Sequence, residues 1–326
     1  MSEVLATIPM AMEPARVAIA PDGSRAYVTM SELVAEGPDV DAIAVIDTTT
    51  RTVVATIPVG SMPAEVVVAP DGKTVYVPCW NGAELQGILS IIDVSTNTVT
   101  GSVVLSGRGG APTGAAITPD GSRVYVSTQG EADVPGGNGK VSVVNTATKR
   151  VVVTIPINPF PSSVGITPDG KLVYALDTEG DPAVIDTTTK EATFPLLSSP
   201  VGDRIAFTQD GKLAYMVEDA NTLIIGIEVA TNREVALLDT DNGLATDVAI
   251  TPDGRLVYVT DRSRHLISVV KPGVADQPAT HPVGWSGTAN GVAIMPDGQT
   301  AYVTDRSSKA VRVIPVDEPG MSAGPA

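Results

Sequence analysis

The stretch TPDGRLVYVTDRS at residues 251–263 returns as MPDGQTAYVTDRS at 295–307, 44 residues further along the chain. Near-identity at that spacing marks a repeated supersecondary unit, and the Pro-Asp-Gly inside it lets the units be counted. It occurs at Pro21, Pro70, Pro119, Pro168, Pro252 and Pro296, and a Gln-Asp-Gly variant at Gln209 fills the one long gap. The seven copies are spaced 49, 49, 49, 41, 43 and 44 residues apart. An apolar run (VAIA, VVVA, AAIT) precedes each turn, and a tyrosine-centred run (AYVT, VYVP, VYVS) follows it. A third run such as IAVID, a turn such as DTTT and a fourth run such as VVATIPVG complete the unit. β-Branched residues dominate, Asx and Gly turns punctuate, and no helical period appears, so each unit reads as a four-stranded meander. Seven such units predict an all-β fold, a seven-bladed β-propeller of four-stranded blades.

An open ring would leave two unpaired strand edges, so the termini are expected to close it. Residues 4–9, VLATIP, match the fourth strand VVATIP at 53–58 yet precede the first innermost strand, while the seventh repeat stops after its third strand, AVRVIPV at 310–316. The N-terminal strand is therefore predicted to complete the last blade. Residues 1–316 form one domain on this reading, and 317–326, DEPGMSAGPA, read as a disordered tail.

The Tyr-Val-Thr runs, Pro-Asp-Gly turns and Val-Ile-Asp-Thr segments resemble the YVTN-type β-propeller repeat family over about residues 3–316. That resemblance implies the propeller and no single chemistry, since related propellers serve as surface proteins, enzyme subunits, lactonases and lyases. No copy here has the asparagine that the family name places after Tyr-Val-Thr.

With 21 Lys+Arg against 37 Asp+Glu the net charge is −16, which opposes nucleic acid and anionic membranes as partners. No run of 18 apolar residues suggests a membrane span. Glu3 and Glu13 interrupt the first twenty residues, and no basic segment opens them, so cytoplasm is the expected compartment; an exported protein already shorn of its leader would read the same. The single cysteine, Cys79, excludes an internal disulfide framework and a cysteine-based zinc site, and reads as a packed small hydrophobe.

In an up-and-down blade the Pro-Asp-Gly and Asp-Thr turns share one face, where their uniformity follows from turn geometry. The copies diverge on the other face, which is where function is expected. Loops 31–42 and 129–140 are long, acidic and Gly-rich, like lids or tolerated insertions. The slot three residues after each repeat tyrosine holds Met30, Cys79, Thr128, Asp177, Glu218, Asp261 and Asp305, a crescent of acids on four neighbouring blades, with Trp80, Asp219, Arg262 and Arg306 just beyond. The entries to the innermost strands bring Arg16, Glu65, Asp203, Arg204 and Asp247 towards the axis. A mouth with both charge signs and a Trp suits a small polar or zwitterionic ligand. The ligand-binding set expected there is Arg16, Glu65, Trp80, Arg204, Glu218, Asp247, Asp261, Arg262, Asp305 and Arg306, the two TDRS arginines clamping an anion. The plainer reading of the carboxylates is that they cap loop N–H groups and pair with arginine neighbours. If the hairpin of the sixth blade turns about Gly273, His265 and His281 become cross-strand neighbours, a pair able to hold a metal or exchange protons but more in keeping with a surface position.

Phosphate loops, nucleophile elbows and haem-attachment motifs are absent, so no cofactor is expected. Two functions remain. One is a propeller that binds a small polar molecule or a protein through its variable face. The other is a cofactor-free or divalent-metal-assisted hydrolase, lyase or isomerase, with axial carboxylates as base or as oxygen ligands for Ca²⁺ or Mg²⁺.

Overall fold

The computed structural model describes residues 4–32, 40–108, 110–130, 138–197, 202–217, 223–239, 243–264, 266–272, 279–282 and 287–316. They form seven four-stranded antiparallel sheets. Blade one comprises Glu13–Ile19, Arg25–Glu32, Val40–Asp47 and Thr52–Pro58, innermost strand first. Blades two to six repeat that order, beginning at Val67, Pro112, Pro161, Arg204 and Ala245. Blade seven contributes Ala289–Ile294, Thr300–Asp305 and Ala310–Pro315, and its fourth strand is the N-terminal Ala6–Pro9. The closure expected from the orphan strands is present, in the register Ala6 opposite Val313 and Pro9 opposite Ala310. The terminal segment 317–326 and most of loops 31–42 and 129–140 lie outside the described residues.

Alternation in each strand puts one set of apolar side chains against each neighbouring blade, so the core lies between blades. Seven buried clusters fill the seven interfaces; one joins Ile8, Met10, Val311 and Val313 of the closing seam to Val28 and Ala44 of blade one. All seven tyrosines are repeat residues, and several tie one blade to the next. Tyr174 donates to Asn232 Oδ1 at 2.6 Å, and Tyr125 accepts from Lys190 Nζ at 2.8 Å. Burial pushes the Tyr174 phenol up to about 12.

The Pro-Asp-Gly glycines all sit at φ between 68° and 72°, which only glycine occupies without strain. Their aspartates accept the N–H two residues on, as Asp253 does from Arg255 at 3.1 Å. A hydrogen bond from the Thr251 hydroxyl, followed by the Arg255 side chain, lowers the Asp253 carboxyl to about 2, and Asp22, Asp120, Asp169 and Asp210 are depressed by similar bonds. A depressed folded-state value means that stability is fully present above the ordinary aspartate value of 3.8 and is lost as pH falls towards 2. Asp253→Asn should therefore narrow the loss of urea resistance across that window. Equal losses in parent and variant would show that this carboxylate takes no part.

Candidate functional site

The residue five positions before each turn Pro or Gln forms one level of the axis: Arg16, Glu65, Gly114, Ser163, Arg204, Asp247 and Gly291. Local structure fixes this level. In blades one, three, four, six and seven the inner pair carries a register shift at or beside that slot, between Pro14 and Val17, for example, or Ala289 and Val292. Such bulges re-aim side chains. The Thr of Tyr-Val-Thr holds them: Thr29 Oγ1 accepts from Arg16 N at 2.8 Å and Thr304 Oγ1 from Gly291 N at 2.7 Å. In blades one and seven the threonine of the repeated motif thus holds the axial slot in place.

Four of the seven slots are charged and interact across the axis. Arg16 Nη1 lies 3.7 Å from Asp247 Oδ2 and donates to the Thr246 carbonyl at 3.2 Å. Both Asp247 oxygens accept backbone N–H groups, from Val248 at 2.9 Å and Val292 at 3.0 Å. Glu65 Oε1 accepts from Val66 N at 3.0 Å. Desolvation raises the Glu65 carboxyl above the usual range, against the opposing fields of Arg204 and Arg16. Burial, with the like charge of Arg16, lowers the Arg204 guanidinium. The ring is a half-buried floor with two charges of each sign.

Above it opens a cavity of about 560 Å³ on the variable face. Arg16 and Arg204 reach its base, the small polar side chains Thr113, Ser162, Thr246 and Asn290 circle the next level, and Trp80, Met62, Pro63, Pro112 and Pro161 supply an apolar wall. Asp203, Glu32, Asp41, Ser31, Gln129, Thr178 and Arg306 complete the polar lining. Other clefts, on the opposite face, are gaps between Pro-Asp-Gly turns of adjacent blades. Among the described residues no group of three or more His, Cys, Asp or Glu side chains converges as a metal site.

The acid crescent is different from the expected one. Asp261 and Asp305 are 1% and 0% exposed and do not line the cavity. Asp305 Oδ1 accepts from Thr288 N and Ser308 N, both at 3.1 Å, while Oδ2 accepts from Arg312 Nη2 at 3.1 Å. Asp261 Oδ1 accepts from Leu244 N at 3.2 Å, Ser263 N at 2.9 Å and Arg264 N at 3.0 Å. Asp177 repeats the pattern with Phe160 N at 3.0 Å and Glu179 N at 2.9 Å. Each staples the loop entering its blade to the loop leaving its second strand. Gly287 makes room for it, since a Cβ there would lie 2.0 Å from an Asp305 oxygen.

The TDRS arginines do not form the expected clamp. Arg306 touches the cavity edge but pairs with Glu13 across the closing seam at 2.7 Å. Arg262 is exposed and outside the cavity lining. Glu218 and His265 fall outside the described residues. His281 stands opposite Ile267, two residues out of the register that would pair it with His265. Of the expected set, Arg16, Trp80, Arg204 and Arg306 line the cavity, with Glu65 and Asp247 in the charged ring at its floor. The proline wall and Met62 were missed; the Pro two residues ahead of the axial slot at 63, 112 and 161 was the available signal.

No protein-family model matches the chain, and no curated protein is significantly similar to it. Among solved structures it is similar to a chain of the Kuenenia stuttgartiensis hydrazine synthase, with a TM-score of 0.76 and 22% identity over 94% of this chain and 96% of that one. At that identity the likeness is one of fold, and the fold shared is the seven-bladed β-propeller.

Proposed function

We propose that this propeller binds a small polar or zwitterionic molecule in its axial cavity. The observation that carries the reading is the pairing of an apolar wall with a half-buried floor of two arginines and two acids, the composition of a site that orients a charged small molecule. The repeat grammar, which resembles that of YVTN-type propellers, supports a rigid scaffold around a variable mouth. Ala64→Phe fills the mouth without removing a polar partner. A small molecule released from the denatured parent and missing from that variant, at unchanged melting temperature, is the expected result. Equal amounts released from both, or no ligand in a broad thermal-shift screen of the parent, would overturn it.

Glu65 favours a second reading, an enzyme of the hydrolase, lyase or isomerase kind: a carboxyl whose affinity for its proton is raised beside a cavity can give and take that proton. Turnover of the bound compound that disappears in Glu65→Gln would select it, and Ca²⁺ or Mg²⁺ dependence of that turnover would select its metal-assisted form.

Nucleic acid is an unsuitable partner for a net charge of −16. No retention on immobilised DNA or RNA is expected at physiological ionic strength; salt-sensitive retention would count against this. No helix among the described residues is long and apolar enough to cross a membrane.

A further inference from the structure

We infer that the ligand of the axial cavity carries a carboxylate, docked on the Nε–Nη2 edge of Arg204; this rests on the axial-cavity reading and narrows it to organic acids with an apolar body. A guanidinium presents five N–H donors. Arg204 uses Nη1, which donates to the carbonyls of Ser162 at 3.3 Å and Asp203 at 2.6 Å. Nε is fully buried and has no partner, and among the described residues no acid stands within salt-bridge distance of the group. Buried donors left without an acceptor are rare, and each calls for an explanation. Here the neighbouring acids do not supply one. Asp247 accepts from two backbone N–H groups and pairs with Arg16, Glu65 accepts from Val66 N, and neither acid hydrogen-bonds Arg204.

The edge that remains is the one that meets a carboxylate with two parallel hydrogen bonds. Its position decides what else the ligand contains. Arg204 lines the base of the cavity, beneath Trp80, Met62 and the prolines, so an anion seated on it has an apolar wall beside its remainder. Inorganic phosphate would leave that wall bare. A dianion would also meet the fields of Glu65, Asp203 and Asp247, which together outnumber Arg16 and Arg204.

Calorimetric titration of the intact protein with indole-3-acetate, its primary amide and inorganic phosphate tests this. The acid should bind at least about tenfold more tightly than the amide, and binding should vanish in Ala64→Phe. Arg204→Lys, which keeps the charge and removes the planar edge, should weaken the acid about tenfold and the amide by clearly less. The acid–amide comparison needs no substitution at Arg204, so a poorly folding lysine variant leaves it intact. Equal binding of acid and amide, abolished by Ala64→Phe, would keep the cavity as a site and overturn the carboxylate. Tighter binding of phosphate would overturn the organic acid, and no binding of any probe would remove both the inference and the cavity reading it rests on.

Discussion

Replacing Asp305 by alanine should remove about 3–5 kcal/mol of folding stability, the range for stripping one partner from a buried ion pair. The carboxylate is 0% exposed and its partner Arg312 only 17%, so the change strips a buried counter-charge from a largely buried guanidinium. The N–H groups of Thr288 and Ser308 would lose their acceptor in the same change. Asp305→Asn keeps an acceptor for the loops and loses the charge, so it should fall between parent and alanine variant. Urea unfolding measures all three. A loss under about 1 kcal/mol for the alanine variant would show that the staple contributes as little as an exposed pair. Arg306→Ala supplies that comparison, because its pair with Glu13 is 54% and 39% exposed.

The second large effect is expected at the closing seam. Ile8 is 1% exposed within the cluster that joins blade seven to blade one, so Ile8→Ala should cost about 2–5 kcal/mol. Leu5, in contrast, is 40% exposed and should tolerate alanine. Deleting residues 1–9 removes the whole outer strand and bares the ladder edge of Ala310–Pro315, so self-association visible by light scattering should accompany the loss of stability. A deletion variant that melts with the parent and stays monomeric would mean that the ring does not depend on this strand.

The fold was legible because a turn has few chemical solutions. Seven Asp-Gly turns spaced 41 to 49 residues apart and an orphan strand at each end leave little choice but a closed ring. The axial ring was partly legible for the same reason, since Arg16, Glu65, Arg204 and Asp247 share one offset from the turn. Direction was not legible. An offset places a residue at a level but does not say whether its side chain faces the cavity or tucks beneath a loop, and Asp177, Asp261 and Asp305 tuck beneath. One signal was available: Ser263 and Ser307 follow their aspartates by two residues, the spacing of an Asx turn. The partnership of Asp305 with Arg312 runs across a strand pair and needed the register. The histidine pairing failed on the assumed centre of a single hairpin.

Because Leu5 N donates to Val313 O at 2.8 Å, the first and last strands run side by side along the rim of one blade. Val4 and Val316 pack against the same cluster. A short linker between them would make the backbone continuous, and new ends could then be opened at a Pro-Asp-Gly turn on the face away from the cavity. Circular permutants of this kind would relocate the seam blade by blade while leaving the axial arginines in place, turning the position of closure into an adjustable variable.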